Sequence, residues 1–406
     1  MTDARDHWYL RPGIWFWVVI ALGAALRFYC VIFTEGTQDV DIWERHARDV
    51  REHGLIGYYH GDTSANHPSF ISEAESVLLR ASDESGVPFR IFLRAPFALL
   101  DAGSAFLLLL LLGASPWRFV AAACYWLNPL AIILSAYHGN TDCAVAFFLL
   151  LALWFISKEK LIPAAIVVGA SLWIKLPGVV AIPALIFFIP KWKHRFVFLA
   201  VVGVVALVTY LPALIQDAHV VYKNVFGYRA QDLHTIAGVA TWGPRVLLFS
   251  IIASPARWPQ AAHAPILFYL ENSWKIALAL VVILSCLRRR RRSIVDLGAT
   301  IAMSYVLVYA LNGGFSFQYF AWSLPLWFFL SVWFLIPAAV LTSAYVYALY
   351  WYLCGNPWLL GAWDFNGHPY WPSLIVGLRN AAYLFFFAAA VWFAISTTAQ
   401  AFRVRR

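Results

Sequence analysis

Apolar runs long enough to cross a membrane dominate this chain, and its polar residues fall mostly in the gaps between them. Crossing ~30 Å of hydrocarbon takes about 20 apolar residues in a helix, fewer where a span is short or the bilayer adapts. On that measure the pattern predicts about twelve spans. They lie near 13–33, 91–112, 118–136, 141–157, 161–174, 177–190, 195–213, 265–287, 294–311, 319–336, 338–353 and 373–397. Three polar gaps stand out, at 34–90, 214–264 and 354–372. Inside the first, Trp43, Ala47 and Val50 recur at helical spacing among Glu44, Arg45, Arg48, Asp49 and Arg51, which predicts a helix lying along the interface. Segment 241–254, opened by Gly243-Pro244 and closed by Ser254-Pro255, is too short to cross and reads as a re-entrant or interfacial helix.

Composition narrows the class: 62% of residues are hydrophobic, 13% are charged, and 20 of 406 are Trp. That balance defines an all-α polytopic membrane protein, a single integral-membrane domain over 1–406 with no soluble domain or low-complexity linker. Basic residues orient the spans, because short cytoplasmic loops keep Lys and Arg. Arg5, Arg11, Arg118, Lys158, Lys160, Lys191, Lys193, Arg195, the run from Arg288 to Arg292, and Arg403, Arg405 and Arg406 all fall on one side. Both termini are then cytoplasmic, and the three long gaps face the exterior or periplasm; in a bacterium the chain sits in the cytoplasmic membrane. Only Asp3, Asp6, Glu159 and Asp296 among the acidic residues lie inside, so the net charge of +9 is mainly an orientation signal. The Arg288 to Arg292 run reads as a topology anchor near anionic lipid, and no nucleic-acid partner is expected. Segment 13–33 lacks a small-residue cleavage site and carries Arg27, so it reads as a retained helix. Five cysteines, an odd number placed mostly within spans, give no disulfide or metal framework.

The polar residues at the exterior mouths of the spans carry the candidate chemistry. Asp39 and Asp41 follow the first span in Thr37-Gln38-Asp39-Val40-Asp41. One aspartate at that place serves as an N-cap, while a second is free to accept a proton from an attacking hydroxyl or to hold a divalent cation. The run His138-Gly139-Asn140-Thr141-Asp142 follows Asn128-Pro129. Its Gly and Asn suit a short turn and Asp142 suits a helix cap, but His138 has no such structural reason and could bind a phosphate or a sugar hydroxyl. Lys175 interrupts an apolar stretch in Trp173-Ile174-Lys175-Leu176-Pro177. On the exported side its charge is not needed for orientation, so it points to an anionic partner such as a lipid-linked phosphate, with snorkelling as the plainer alternative. Phe315 to Pro325 is an aromatic belt into which Gln318 beside Tyr319 introduces paired donors and acceptors. Arg27, Arg94 and Asp101 lie in or beside spans, and an Arg94 to Asp101 pairing two turns apart on one helix would be structural.

Taken in order, Asp-Val-Asp, Asn-Pro-Leu with His-Gly-Asn-Thr-Asp, Trp-Ile-Lys-Leu-Pro and Phe-Gln-Tyr-Phe-Ala-Trp-Ser-Leu-Pro resemble the GT-C membrane glycosyltransferases over about residues 20 to 335. The likeness is nearest to the catalytic subunit of GPI mannosyltransferase I and to bacterial polyprenyl-phosphate-sugar-dependent mannosyltransferases. It implies a GT-C fold and a donor carrying a sugar, often mannose, on a polyprenyl phosphate. It also implies a lipid or glycan acceptor and an inverting transfer with a first-loop aspartate as general base. Asp39 and Asp41 fall on the family's two aspartates, Lys175 on the lysine near the donor phosphate, and Gln318 and Tyr319 on the late Gln-Tyr. His138 and Arg245 are further candidates for the leaving phosphate, although His138 stands where the eukaryotic subunit has Arg before Gly-Asn, so the resemblance does not extend to GPI as the acceptor. No cofactor is expected. A metal at Asp39 and Asp41 is conceivable but not required, because a polyprenyl-phosphate leaving group carries one phosphate.

Two other classes meet the same composition. A flippase for lipid-linked saccharides would show internal repeats and interrupted helices at matched positions, and no convincing repeat relates the halves here. A ligase or polymerase using a pyrophosphate carrier would favour outward arginines, for which Arg229, Arg245 and Arg257 are the candidates. Tyr228, Asp232, His234, Trp363, Asp364 and His368 are assigned to the acceptor side by position alone.

Overall fold

The computed structural model describes residues 12–403 except 63–64, 114, 116, 228–242, 245–247, 249–262, 290–292, 366 and 369–370. All elements among the described residues are helical. Helix α1 (Ile14–Phe33) leads into α2 (Gln38–Gly61) and α3 (Ser69–Ser85). The bundle then continues through α4 (Phe89–Leu111), α5 (Arg118–Trp126), α6 (Pro129–Ile132), α7 (Asp142–Ser157), α8 (Leu161–Ile174), α9 (Ile182–Phe188) and α10 (Trp192–Val221). Helices α11 (His263–Leu287), α12 (Ile294–Leu311), α13 (Val332–Cys354) and α14 (Ser373–Arg403) complete it.

Seven of the described helices are long and apolar enough to cross a membrane, and eight if α5 and the segment Pro129–Tyr137, bent by 48°, form one span. These are the features of a multi-pass membrane protein. Among the described residues the structure does not reach the expected count of about twelve separate spans. Residues 319–336 do not form a span: Phe317–Trp322 and Leu324–Phe329 are two 3-10 turns, and Val332–Cys354 is a single helix that absorbs the expected span at 338–353. Hydropathy could not separate them, because the turns are apolar for a different reason: Phe320, Trp322, Leu326 and Trp327 are buried inside protein. Helices α7 and α8, with 16 and 14 residues, reach only about 24 and 21 Å at 1.5 Å per residue. Short as they are, α7 packs against α4 and α8 and is buried along most of its length, so it serves as a central post of the bundle.

The helix expected in the first polar gap is present as α2. Val40, Trp43, Ala47 and Val50 form its buried stripe, and α2 packs against α3. Thr37 caps it by accepting a hydrogen bond from the Asp39 N–H at 3.3 Å, so neither Asp39 nor Asp41 is the cap. The expected re-entrant segment 241–254 lies almost wholly outside the described residues. All five cysteines are free.

Two buried arginines hold the first helices together. Arg27 pairs with Asp101 (Nε 3.2 Å and Nη2 2.9 Å to Oδ2), donates to the Trp126 carbonyl at 2.7 Å, and lies over the Trp126 ring. Tyr125 (2.7 Å, to Oδ1) and Ser135 (2.6 Å, to Oδ2) donate to the same carboxylate, which therefore accepts four hydrogen bonds. The pairing read from sequence, Arg94 with Asp101, is thus replaced by Arg27 with Asp101. Arg94 is fully buried and carries no carboxylate partner among the described residues; it donates to the carbonyls of Val31 (3.0 Å), Thr34 (2.7 Å), Tyr137 (3.2 Å) and Arg90 (3.0 Å), and to Thr34 Oγ1 (3.0 Å). The first two carbonyls lie at the C-terminal end of α1, where the helix dipole is negative and favours a cation.

Removing one partner from a buried ion pair leaves the other charge uncompensated, at a cost of ~3–5 kcal/mol. Asp101→Ala is therefore expected to lower the unfolding midpoint of the purified protein sharply, whereas Arg27→Ala combined with Asp101→Ala should recover part of the loss. Equal stability of Asp101→Ala and wild type would show that the pair does not hold α1 to α4.

Candidate functional site

Three chain breaks bring the site together. Asn128 caps α6 with its side chain (Oδ1 to Leu130 N–H, 2.8 Å), and Pro129 occupies the first helical position. The helix loosens into a π-turn over Ile133–Tyr137, and the His138 N–H closes it on the Ile133 carbonyl at 2.8 Å. Gly139 then turns the chain at φ +72°, a left-handed conformation that disfavours a side chain, and a Cβ there would lie 2.6 Å from Arg94 Cγ. His138 is consequently driven inward. Expected at the surface, it is 2% exposed.

His138 bridges two elements. Its Nε2 lies 2.7 Å from Asp39 Oδ2, and its Nδ1 bonds the hydroxyl of Tyr350 on α13. An ionised carboxylate can only accept, so Nε2 carries a proton; in the neutral ring Nδ1 then accepts from Tyr350. Asp39 remains about a third exposed, and its Oδ1 makes no hydrogen bond among the described residues. Burial pushes the Asp39 carboxyl upward, but the interaction with His138, including its hydrogen bond, together with nearby Lys175 and His46, outweighs it and holds the group below the ordinary aspartate range.

Lys175 occupies the second break. It sits in extended conformation (φ −158°, ψ 135°) between α8 and the 3-10 turn Leu176–Ala181, where Pro177 cannot supply the N–H that would continue the helix. Its Nζ pairs with Asp142 Oδ1 at 3.0 Å and lies 3.4 Å from Thr141 Oγ1. Asp142 is fully buried; the third break, the 3-10 segment Phe317–Trp322, supplies a further donor to it, Trp322 Nε1 at 2.7 Å. Asp142 Oδ2 has no partner among the described residues. Tyr319 stacks on Trp322 (centroids 4.2 Å, planes 15° apart), so it supports the site through that ring. Gln318 accepts from Ser316 Oγ through its Oε1 at 2.9 Å and is not brought to Asp39, His138 or Lys175 by any described contact.

Asp41 goes elsewhere. With Glu35, Gln38, Glu44, Arg90 and Trp363 it lines an open pocket of about 310 Å³ at the N-terminal end of α2, which does not include Asp39. The two aspartates thus serve different surfaces, and among the described residues no three His, Cys, Asp or Glu side chains converge as metal ligands. Arg245 lies outside the described residues, as do Tyr228, Asp232, His234, Arg229 and Arg257. Of the residues expected from sequence, the structure brings together Asp39, His138 and Lys175, with Tyr319 one ring removed. Sequence reasoning missed Tyr350 and Trp322, and it took Asp142 for a cap; Asn140 Oδ1 instead accepts from the Asp142 N–H at 2.9 Å. The signal for Asp142 was its spacing from His138 in one motif, and for Trp322 its place beside Tyr319.

The chain matches no model of a known protein family and no curated protein.

Because the folded-state pKa of Asp39 is depressed, its contribution to stability is present above the unfolded aspartate value and is lost as pH falls through the folded one. Thermal unfolding of wild type and His138→Ala across pH checks this. The pH-dependent part of their difference should be full above the ordinary aspartate range and fade below it, and a difference that does not change on acidification would contradict the assigned Asp39–His138 interaction.

Proposed function

We propose that this protein is an inverting GT-C glycosyltransferase. It moves a sugar, with mannose the expectation, from a polyprenyl-phosphate carrier to a lipid or glycan acceptor at the outer or periplasmic membrane face. The observation that carries this reading is the convergence of four segments remote in sequence: Asp39 from the first polar gap, His138 with Asp142, Lys175, and Trp322 from the late aromatic run. They supply a carboxylate with a free oxygen beside a cation, surrounded by apolar helices. A lipid-linked sugar requires that combination, since the tail lies in hydrocarbon and the phosphate and sugar stop at its edge.

The chemistry is a single displacement. The acceptor hydroxyl gives its proton to Asp39 Oδ1 as its oxygen bonds the sugar C1; the bond from C1 to the phosphate oxygen breaks, and polyprenyl phosphate leaves with the electron pair. His138, locked by Tyr350, orients Asp39 and keeps it ionised. Lys175 stabilises the negative charge that grows on the leaving phosphate, and the phosphate competes with Asp142 for the ammonium. The pocket beside Asp41, within the usual range for small-ligand sites, suits the approach of a polar acceptor, with Trp363 on its wall. The cluster of cytoplasmic basic residues in the sequence supports an outward orientation for this end.

A positioned general base contributes ~10²–10⁴-fold to a transfer rate. Asp39→Asn keeps the shape of the side chain and removes the base, so single-turnover transfer should fall by ~10²-fold or more while donor affinity is retained. Transfer by Asp39→Asn at the wild-type rate would remove the base assignment.

A further inference from the structure

Among the described residues, several buried side-chain polar atoms without a hydrogen-bond partner cluster in residues 58–75, in and between α2 and α3. The clearest belong to three residues: both carboxyl oxygens of Glu75, the hydroxyl of Tyr58 and Nδ1 of His67. Glu75 is fully buried and Tyr58 is 2% exposed. Glu75 sits on the inward stripe of α3 with Ile71, Leu79 and Ser82, a position the helix spacing would give to an apolar residue. Buried polar groups are nearly always satisfied, so a concentration of unsatisfied ones needs a reason.

The group adjoins the catalytic residues. Lys175 is within electrostatic reach of Asp39, His67 and Glu75 alike, and His46 of both Asp39 and His67. The rings form one packed lobe, with Trp43 to His67 centroids at 3.9 Å and His46 to Tyr58 at 5.0 Å. Burial raises the Glu75 carboxyl well above its usual range and lowers the His67 imidazole well below its own, so in both groups it favours the neutral form. The lobe therefore offers a carboxyl that donates and accepts, a phenol that donates and accepts, and an imidazole nitrogen. This set matches neutral hydroxyls, and with Lys175 as its nearby cation it does not suit a second phosphate.

We propose that Glu75, Tyr58 and His67 form the subsite that hydrogen-bonds the hydroxyl groups of the transferred hexose, next to the phosphate held by Lys175. This rests on the glycosyltransferase reading above. The alternative, buried water alone, is an outcome of the test. Nothing in it requires Glu75 to touch the reacting C1; the residue selects and holds the sugar.

The test compares two probes, polyprenyl-phosphate mannose and the bare polyprenyl phosphate of equal length, binding to the full chain in nanodiscs. Wild type should prefer the mannosyl probe by ~10-fold or more, the equivalent of one or two good hydrogen bonds. Glu75→Leu and Tyr58→Phe should bring that preference close to one while leaving affinity for the bare carrier within about 2-fold, inside the noise of a lost hydrogen bond. Glu75→Gln, which retains donor and acceptor, should keep most of it. Glu75→Leu should also unfold at a higher temperature than wild type, since it replaces an unsatisfied polar group with an apolar one. Variants that keep the mannosyl preference would mean buried water only, and variants that lose both probes equally would mean a structural role; either overturns the subsite and spares the glycosyltransferase reading. A wild type that binds the carrier without preferring mannose also overturns the subsite alone. Binding of neither probe overturns both.

Discussion

The arrangement depends on one buried guanidinium. Arg94 reaches from α4 to the C-terminal carbonyls of α1 and to the Tyr137 carbonyl that precedes the site histidine. A cation without a carboxylate partner is tolerable there because five acceptors surround it and two of them end a helix. Its contacts fix what the neighbouring chain can be: Gly36 (φ +89°) and Gly139 (φ +72°) close over it, with Arg94 atoms 3.0 and 2.6 Å from where their Cβ atoms would stand. Those two glycines set the directions in which the chain leaves for Asp39 and arrives from His138. Arg94 is thus a positioning residue for the segments that carry Asp39 and His138, whose side chains meet at 2.7 Å.

Around that clamp the charges are arranged in complementary pairs with different degrees of exposure. Asp142 is fully buried and bonded to Lys175 and Trp322, while Asp39 keeps an oxygen at the surface. The buried carboxylate fixes the cation, and the open one is left accessible for the proposed chemistry. Lys175 could not take this place in a continuous helix; the extended residue between α8 and the following 3-10 turn, enforced by Pro177, lets its side chain enter the bundle. Polar groups lacking partners in the α2 and α3 lobe continue the same line away from the cation.

Much of this was legible in the sequence, and the exceptions have physical causes. The stripe of Trp43, Ala47 and Val50 announced α2, because amphipathic spacing reports a buried face directly. The run 319–336 was misread since hydropathy measures apolarity and cannot tell residues facing lipid from those packed inside protein. From sequence His138 reads as a surface residue because Gly-Asn signals a turn, and a turn is usually solvated; here the turn folds over Arg94, which lies 44 residues earlier in the chain and gives no local sign. Asp142 looked like a cap because caps and ion-pair partners share the same helix position, and only Lys175 in space distinguishes them. Glu75 was hidden among the other acids of 34–90, although its spacing with Ile71 and Leu79 was an available clue.

The proposed role of the cluster around Asp39 and Lys175 is to transfer a sugar off its lipid carrier. The most direct measurement is incubation of the purified chain with radiolabelled polyprenyl-phosphate mannose and a membrane lipid extract. Label is expected in a new product with released polyprenyl phosphate and an inverted anomeric centre. Intact donor moved across liposomes with no new product, or a product of retained configuration, would contradict it.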